Sequence, residues 1–251
     1  LNIFLGAKLK FKGVLASILA VAGSFIMSCL ALKEVMAGKV IEQSWTWFTC
    51  GKYSFEAGFA VDPLTAMMLV VVTLVSMLVQ IYSIGYMHGE KNHTRFFAFI
   101  SLFTFSMLGL VLANNLILVY VFWELVGLCS YFLISYWYHK PSAADAGKKA
   151  FIVNRIGDAG LFLGIAILFY YLGTVNFQAM AHKIHYGGLN TDILTIAAIL
   201  VFCGAIGKSA QFPLHIWLPD AMEGPTPASA LIHAATMVAA GVYLTARSYA
   251  V

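Results

Sequence analysis

Charge is the scarcest property of this chain. Only 10% of its 251 residues are Asp, Glu, Lys or Arg, whereas soluble domains carry about 25%. With 61% hydrophobic residues and a mean hydropathy of +0.85, that scarcity excludes an ordinary soluble domain and indicates a polytopic membrane protein. The formal net charge of +4 carries no nucleic-acid signal, because no basic run is interleaved with aromatic residues. Cysteine is sparse too. Cys29, Cys50, Cys129 and Cys203 form no Cys-x-x-Cys pair, which leaves no zinc ribbon or iron–sulfur site. Cys29, Cys129 and Cys203 lie in apolar runs and read as small core residues. Missing as well are a Gly-rich phosphate loop, a dinucleotide fingerprint and a helical His-x-x-x-His metal pair. Ser24 and Ser130 have no hydrolase-like context, and His182 and His185, flanking Lys183 in a loop, read as solvated. The chain shows no sign of binding its own redox cofactor or metal. It has no internal repeat and no cleavable signal, and it opens Leu1-Asn2-Ile3-Phe4, so earlier residues of the natural protein are expected.

What is present is a set of long apolar runs. A membrane span needs about 20 mostly apolar residues, and seven runs qualify: Gly13–Leu32, Leu64–Met87, Phe96–Ala113, Leu116–Tyr138, Ala150–Leu172, Ile193–Leu218 (interrupted) and Ala228–Tyr249. The fold class is therefore all-α, a polytopic helix bundle. Connections are short except for the stretches 34–63 and 173–192. Gly157, Ala159, Gly160, Gly164 and Ala166 in the fifth run allow neighbouring helices to approach closely. Lys8, Lys10, Lys12, Lys91, Arg95, Lys140, Lys148 and Lys149 fall on one side; Lys33, Lys39, Lys52, Lys183 and Arg247 fall on the other. The bias puts the first side in the cytoplasm or an organelle matrix, with the C-terminus opposite. The sixth run is broken near Lys208–Pro213: a proline removes a helical donor and crowds the preceding turn. Opened backbone at membrane depth needs protein or water to satisfy it, and such breaks occur at ion sites.

Five ionisable residues lie inside these runs away from their last turns: Glu124, Arg155, Asp158, Lys208 and His233. Intramembrane charge is costly and marks functional candidates. Arg155 either snorkels to the headgroups or pairs with Asp158, three residues on and on the same helical face. His233 is either a packed neutral histidine or a proton relay. Glu124 and Lys208 are less easily absorbed. Neither has an opposite charge within a turn of its own helix, so their partners come from other helices. Desolvation favours a neutral amine and a nearby carboxylate favours the ammonium. A lysine balanced between them changes protonation when its carboxylate moves, which is a gated proton carrier.

Four stretches resemble one family. They are Phe122-Trp123-Glu124-Leu125-Val126-Gly127-Leu128-Cys129-Ser130-Tyr131, Asn154-Arg155-Ile156-Gly157-Asp158, the run from Gly207-Lys208-Ser209-Ala210-Gln211-Phe212-Pro213 to Pro225-Thr226-Pro227, and Ser229-Ala230-Leu231-Ile232-His233 onward. Together they resemble the antiporter-like subunits of respiratory complex I (NADH:quinone oxidoreductase), most closely the largest, distal one. The likeness runs from about Asp62 to the C-terminus. It implies that Glu124 is the fifth-helix glutamate paired with the channel lysine, and that Lys208 is that lysine on the broken seventh helix. His233 is then the eighth-helix relay, and Arg155 and Asp158 serve coupling between subunits. It implies N-terminal helices over residues 1–92 and a five-helix half-channel repeat over 93–251. The family's first helix, second repeat and lateral helix have no counterpart here, so an N-terminal part of a longer chain is expected.

The implied function is proton translocation within an NADH:quinone oxidoreductase, an enzyme in which this chain performs no redox catalysis. FMN, iron–sulfur clusters and quinone would sit in partner subunits. The chain's own partners would be other membrane-arm subunits, lipid and protons, without nucleic acid. The expected location is a bacterial plasma membrane or, alternatively, the mitochondrial inner membrane. Alternative readings are a subunit of a multisubunit cation/proton antiporter or bicarbonate-uptake complex, and a non-transporting scaffold fragment of a membrane arm.

Overall fold

The computed structural model describes residues 11–51, 53–90, 92–187 and 190–249. Its elements are α1 (Phe11–Met36), a hairpin of β1 (Ile41–Cys50) and β2 (Tyr53–Val61), α2 (Pro63–Tyr86), α3 (His93–Leu112), α4 (Leu116–Ile134), α5 (Pro141–Leu172), α6 (Phe177–Gly187), α7 (Thr191–Lys208), α8 (Thr226–Ala234) and α9 (Met237–Ser248). Two 3-10 turns, Leu214–Trp217 and Asp220–Glu223, lie between α7 and α8. Among the described residues seven segments are long and apolar enough to cross a membrane, and they overlap the seven expected runs. The protein is a multi-pass membrane helix bundle.

Local chemistry sets the helix ends. Asp62 caps α2 by accepting from the Thr65 amide at 2.9 Å, with Pro63 at the first helical position. Asn115 caps α4 through the Leu118 amide, also at 2.9 Å. Gly173, with φ +65°, closes α5 in the left-handed conformation that suits glycine.

The ends also sort the two membrane faces. On one face Lys149 pairs with Asp220 at 2.6 Å, Ser142 donates to Glu223 at 3.0 Å, and Arg95 donates to the Tyr136 carbonyl at 3.0 Å. On the other, Arg247 pairs with Asp62 and Lys183 donates to the Leu172 carbonyl at 2.6 Å. This division matches the charge sorting for the described residues; Lys8, Lys10, Lys52 and Lys91 lie outside them.

The interior mixes large apolar side chains with polar ones. Phe96, Phe97, Ile100 and Phe103 of α3 pack with Trp123, Val126 and Leu133 of α4. Helix α2 turns Thr65, Thr73, Ser76, Gln80 and Ser83 inward. Because lipid tails are as apolar as leucine, such helices associate through packing and hydrogen bonds, not through hydrophobicity.

Four features depart from the sequence reading. The stretch 34–63 is not a plain connection: β1 and β2 form an antiparallel hairpin in which Trp47 interrupts the register. The hairpin is fastened to the helix ends by Asn115, which donates to the Glu56 carbonyl at 2.9 Å, and by Asn114 and Asn176, which both donate to Glu42. The stretch 173–192 contains α6, which carries His182 and His185 on a helix and not in a loop. The last span is broken, because α8 ends at Ala234 and α9 starts at Met237. Of the three cysteines expected in the core, Cys129 is buried, Cys203 is half-buried and Cys29 is exposed on α1, on a surface that lipid solvates as well as protein does.

Candidate functional site

The site forms where α4, α5 and α7 meet. Glycines set the crossing of α5 and α7. A side chain on Gly157 would come within 2.7 Å of the Cys203 carbonyl, one on Gly160 within 2.7 Å of the Cys203 side chain, and one on Gly164 within 2.8 Å of Val201. Bare backbone on this face lets α7 lie directly on α5. Ala159 and Ala166, grouped with these glycines by composition, lie exposed elsewhere on the helix. The close crossing delivers Lys208, the last residue of α7, to Asp158.

Lys208 is fully buried, and its ammonium lies 3.5 Å from Asp158 Oδ2. It has no hydrogen-bond partner among the described residues. Asp158, also buried, accepts a 2.6 Å hydrogen bond from Trp123 Nε1 on α4. The Arg155 guanidinium lies 3.7 Å from Asp158 and forms an ion pair with Glu124. Arg155 therefore does not snorkel: it turns inward, over the Phe151 ring at 4.4 Å. Glu124 keeps one buried oxygen, Oε1, without a partner.

Four of the five intramembrane ionisable residues thus form one chain of charges, Glu124–Arg155–Asp158–Lys208, which balances to zero when all are ionised. Each carboxylate serves a cation from another helix, as the sequence argument required. The partners are exchanged relative to the expectation, however. Lys208 meets Asp158 and not Glu124, because the glycine face of α5 presses Asp158 against α7 while Glu124, one turn before Gly127 on α4, meets Arg155.

His233 lies apart from this chain. It is half-buried on α8, and both ring nitrogens are sealed from solvent without a partner. Its ring stacks on Trp217 with centroids 6.3 Å apart, and Trp217 Nε1 donates to the Gly207 carbonyl at 3.0 Å. One aromatic residue therefore links His233 to the helix end that carries Lys208. Among the described residues, no three His, Cys, Asp or Glu side chains converge as metal ligands.

Sequence reasoning overlooked Trp123, Trp217 and Gly127. A side chain on Gly127 would come within 2.5 Å of Lys208 Nζ and 3.1 Å of Arg155 Nη2, so this glycine leaves the space that the ammonium occupies. The available signals were adjacency and spacing: Trp123 precedes Glu124, and Gly127 follows it by one helical turn.

Comparison with known proteins follows the same outline. A family model described as NADH:quinone oxidoreductase/Mrp antiporter, TM matches residues 113–251, and another, described as NADH-Ubiquinone oxidoreductase (complex I), chain 5 N-terminus, matches residues 47–97. A relative from Mesostigma viride, named NAD(P)H-quinone oxidoreductase subunit 5, chloroplastic, is 52% identical over 92% of this chain and 36% of its own length. One from a Synechocystis species, named NAD(P)H-quinone oxidoreductase chain 5, is 52% identical over 90% of this chain and 35% of its own length. The chain spans about a third of the length of these curated relatives. Among solved structures, the Mrp complex from a Dietzia species contains a chain that superposes with a TM-score of 0.75 at 27% identity, covering 97% of this chain and 28% of that one.

Proposed function

We propose, from the premise that the chain belongs to the NADH:quinone oxidoreductase/Mrp antiporter transmembrane family, that it is a proton-translocating membrane subunit of a NAD(P)H–quinone oxidoreductase. The observation that carries this reading is Lys208: an ammonium with no exposure, no hydrogen bond and one carboxylate at 3.5 Å. A charge held so sparingly at membrane depth costs several kcal/mol, whereas a structural role is filled more cheaply by an apolar residue of similar volume.

The geometry supports a partner exchange. Arg155 holds Glu124 and Asp158 holds Lys208, yet Arg155 is already 3.7 Å from Asp158. A small swing gives Asp158 to Arg155 and frees Glu124, towards which Lys208 can turn along the gap at Gly127. The balance between desolvation and carboxylate differs in the two arrangements, so the exchange is a step at which the amine takes up or releases a proton. His233, whose two ring nitrogens are unoccupied, passes the proton on. Redox chemistry, with FMN, iron–sulfur clusters and quinone, belongs to partner subunits in a multisubunit membrane complex. The chloroplastic and cyanobacterial relatives favour a chloroplast or cyanobacterial membrane over the plasma membrane of other bacteria or the mitochondrial inner membrane.

The test is Lys208→Ala in the full-length protein, assembled into its complex and reconstituted in vesicles. The rate of proton uptake should fall roughly a hundredfold or more, the scale on which positioned acid–base groups act. A wild-type rate overturns the reading. The likeness to the Mrp complex supports a second reading, a cation/proton antiporter subunit; proton flux driven by a sodium gradient without NAD(P)H would favour it. A scaffold role makes the opposite forecast, in which Glu124→Gln alters assembly and leaves flux per assembled complex intact.

A further inference from the structure

The two helix breaks meet. Helix α7 stops at Lys208, after which Ala210 adopts φ +49°. The last span stops at Ala234 and resumes at Met237, with Thr236 at φ −126° and ψ −88° between. Two contacts join these interruptions. Ser209 Oγ donates to the Val238 carbonyl in the first turn of α9 at 2.8 Å. Trp217 Nε1 donates to the Gly207 carbonyl at 3.0 Å, while the Trp217 ring stacks on His233 just ahead of the second break.

Both contacts are built into close packing. A side chain on Gly241 of α9 would come within 2.9 Å of the Ala205 carbonyl on α7 and would also strike Ser209, so the two helices touch backbone to backbone. Trp217 and Thr236 are fully buried, and Thr236 Oγ1 donates to the Leu231 carbonyl at 2.5 Å, closing the end that the break leaves open. A packed interior of this kind does not deform continuously; it moves between discrete arrangements.

We propose that Ser209 and Trp217 are positioning residues that lock the two breaks into a single joint, so that a change at Lys208 displaces the segment carrying His233. Lys208 and Ser209 are consecutive, and the displacement has two routes. One runs from Ser209 to Val238, on the far side of the second break from His233; the other runs from Gly207 through Trp217 to the imidazole itself. This deepens the proton-translocation reading and rests on it. It supplies a physical link between two titratable side chains for which the structure records no direct contact.

The experiment is a coupling cycle in the assembled complex, read by amide hydrogen exchange at residues 235–240. In the wild-type background, Lys208→Ala should change exchange there about fivefold, the scale of one hydrogen bond gained or lost. In a background carrying Ser209→Ala and Trp217→Phe, the same Lys208→Ala should change it less than twofold. Ser209→Thr, which keeps the hydroxyl, should restore the response, which a merely structural defect would not. If the double background fails to assemble, Ser209→Ala alone removes one oxygen and should halve the response or more. An equal response with and without the two contacts overturns the joint, as does the lack of any response in the wild type. Failure of the function itself reads differently: Lys208→Ala would then leave proton uptake unchanged, whatever the exchange pattern.

Discussion

Replacing Gly127 with alanine adds one methyl group at the most consequential point of the site. That methyl would lie 2.5 Å from Lys208 Nζ, about 1 Å inside ordinary contact. The obstructing atom is the end of a flexible side chain, so the protein can yield by moving the ammonium. Overpacking costs roughly 1–3 kcal/mol, and a yielding neighbour puts this case near the lower limit. Against that, alanine in place of glycine gains roughly 1 kcal/mol in helix formation, so stability should barely change. Function should not escape. The methyl fills the gap through which Lys208 turns from Asp158 towards Glu124, and about 1 kcal/mol added to that crossing slows it about fivefold. The assay is the rate of proton uptake into vesicles, with the thermal midpoint of the same complex as control. Gly23→Ala is the matched comparison, since a side chain there meets nothing within 4 Å; it should leave both readings unchanged. Wild-type uptake in Gly127→Ala, with Lys208 still against Asp158, would refute the claim that the ammonium moves along this gap.

Asp158→Asn keeps the shape and the acceptor for Trp123 but leaves Lys208 and Arg155 sharing only Glu124. Breaking a buried pair in this way costs about 3–5 kcal/mol, so the thermal midpoint of the assembled complex should fall well below that of Glu124→Gln, whose side chain is 24% exposed; the reverse ranking would refute the pairing. The Asp62–Arg247 tie between α2 and α9 should depend on pH. Burial alone would raise the Asp62 carboxyl, but the Thr65 amide and the Arg247 guanidinium outweigh it and hold the group below the usual carboxylate range. A depressed carboxyl stabilises the fold fully above its unfolded value near pH 3.9 and loses that contribution as pH falls below it. Protection of the amides at residues 62–66 should therefore fall only in acid below about pH 3.9, and Arg247→Met, which removes part of what holds the carboxyl down, should shrink that fall; an equal fall in the variant would refute the assignment.

Much of this architecture was legible because lipid imposes one-dimensional rules. Seven apolar runs, alternating lysine-rich ends and a proline after Lys208 are anomalies of composition along the chain, and each has its counterpart in the structure. The break at Ala235–Thr236 has no such marker. The nearest prolines, Pro225 and Pro227, lie at the start of α8, where proline is compatible with a helix, and the interruption is held instead by the Thr236 hydroxyl and the Ser209 contact across helices. The hairpin was visible in principle as β-forming residues on either side of Gly51-Lys52, but a reading tuned to apolar length treats polar stretches as connections.

Partner choice within the charged chain is the more instructive case. Spacing alone puts Arg155 and Asp158 on one face of α5 and says nothing about which helix that face meets. The glycines do say it. Gly157, Gly160 and Gly164 mark the side where α7 can touch backbone, and Asp158, next to Gly157, is carried to that side with Leu161 and Ile165. Which carboxylate reaches Lys208 therefore follows from where side chains are missing, not from where charges are present. The same logic makes Gly127 as much a determinant of the ammonium's position as either acid.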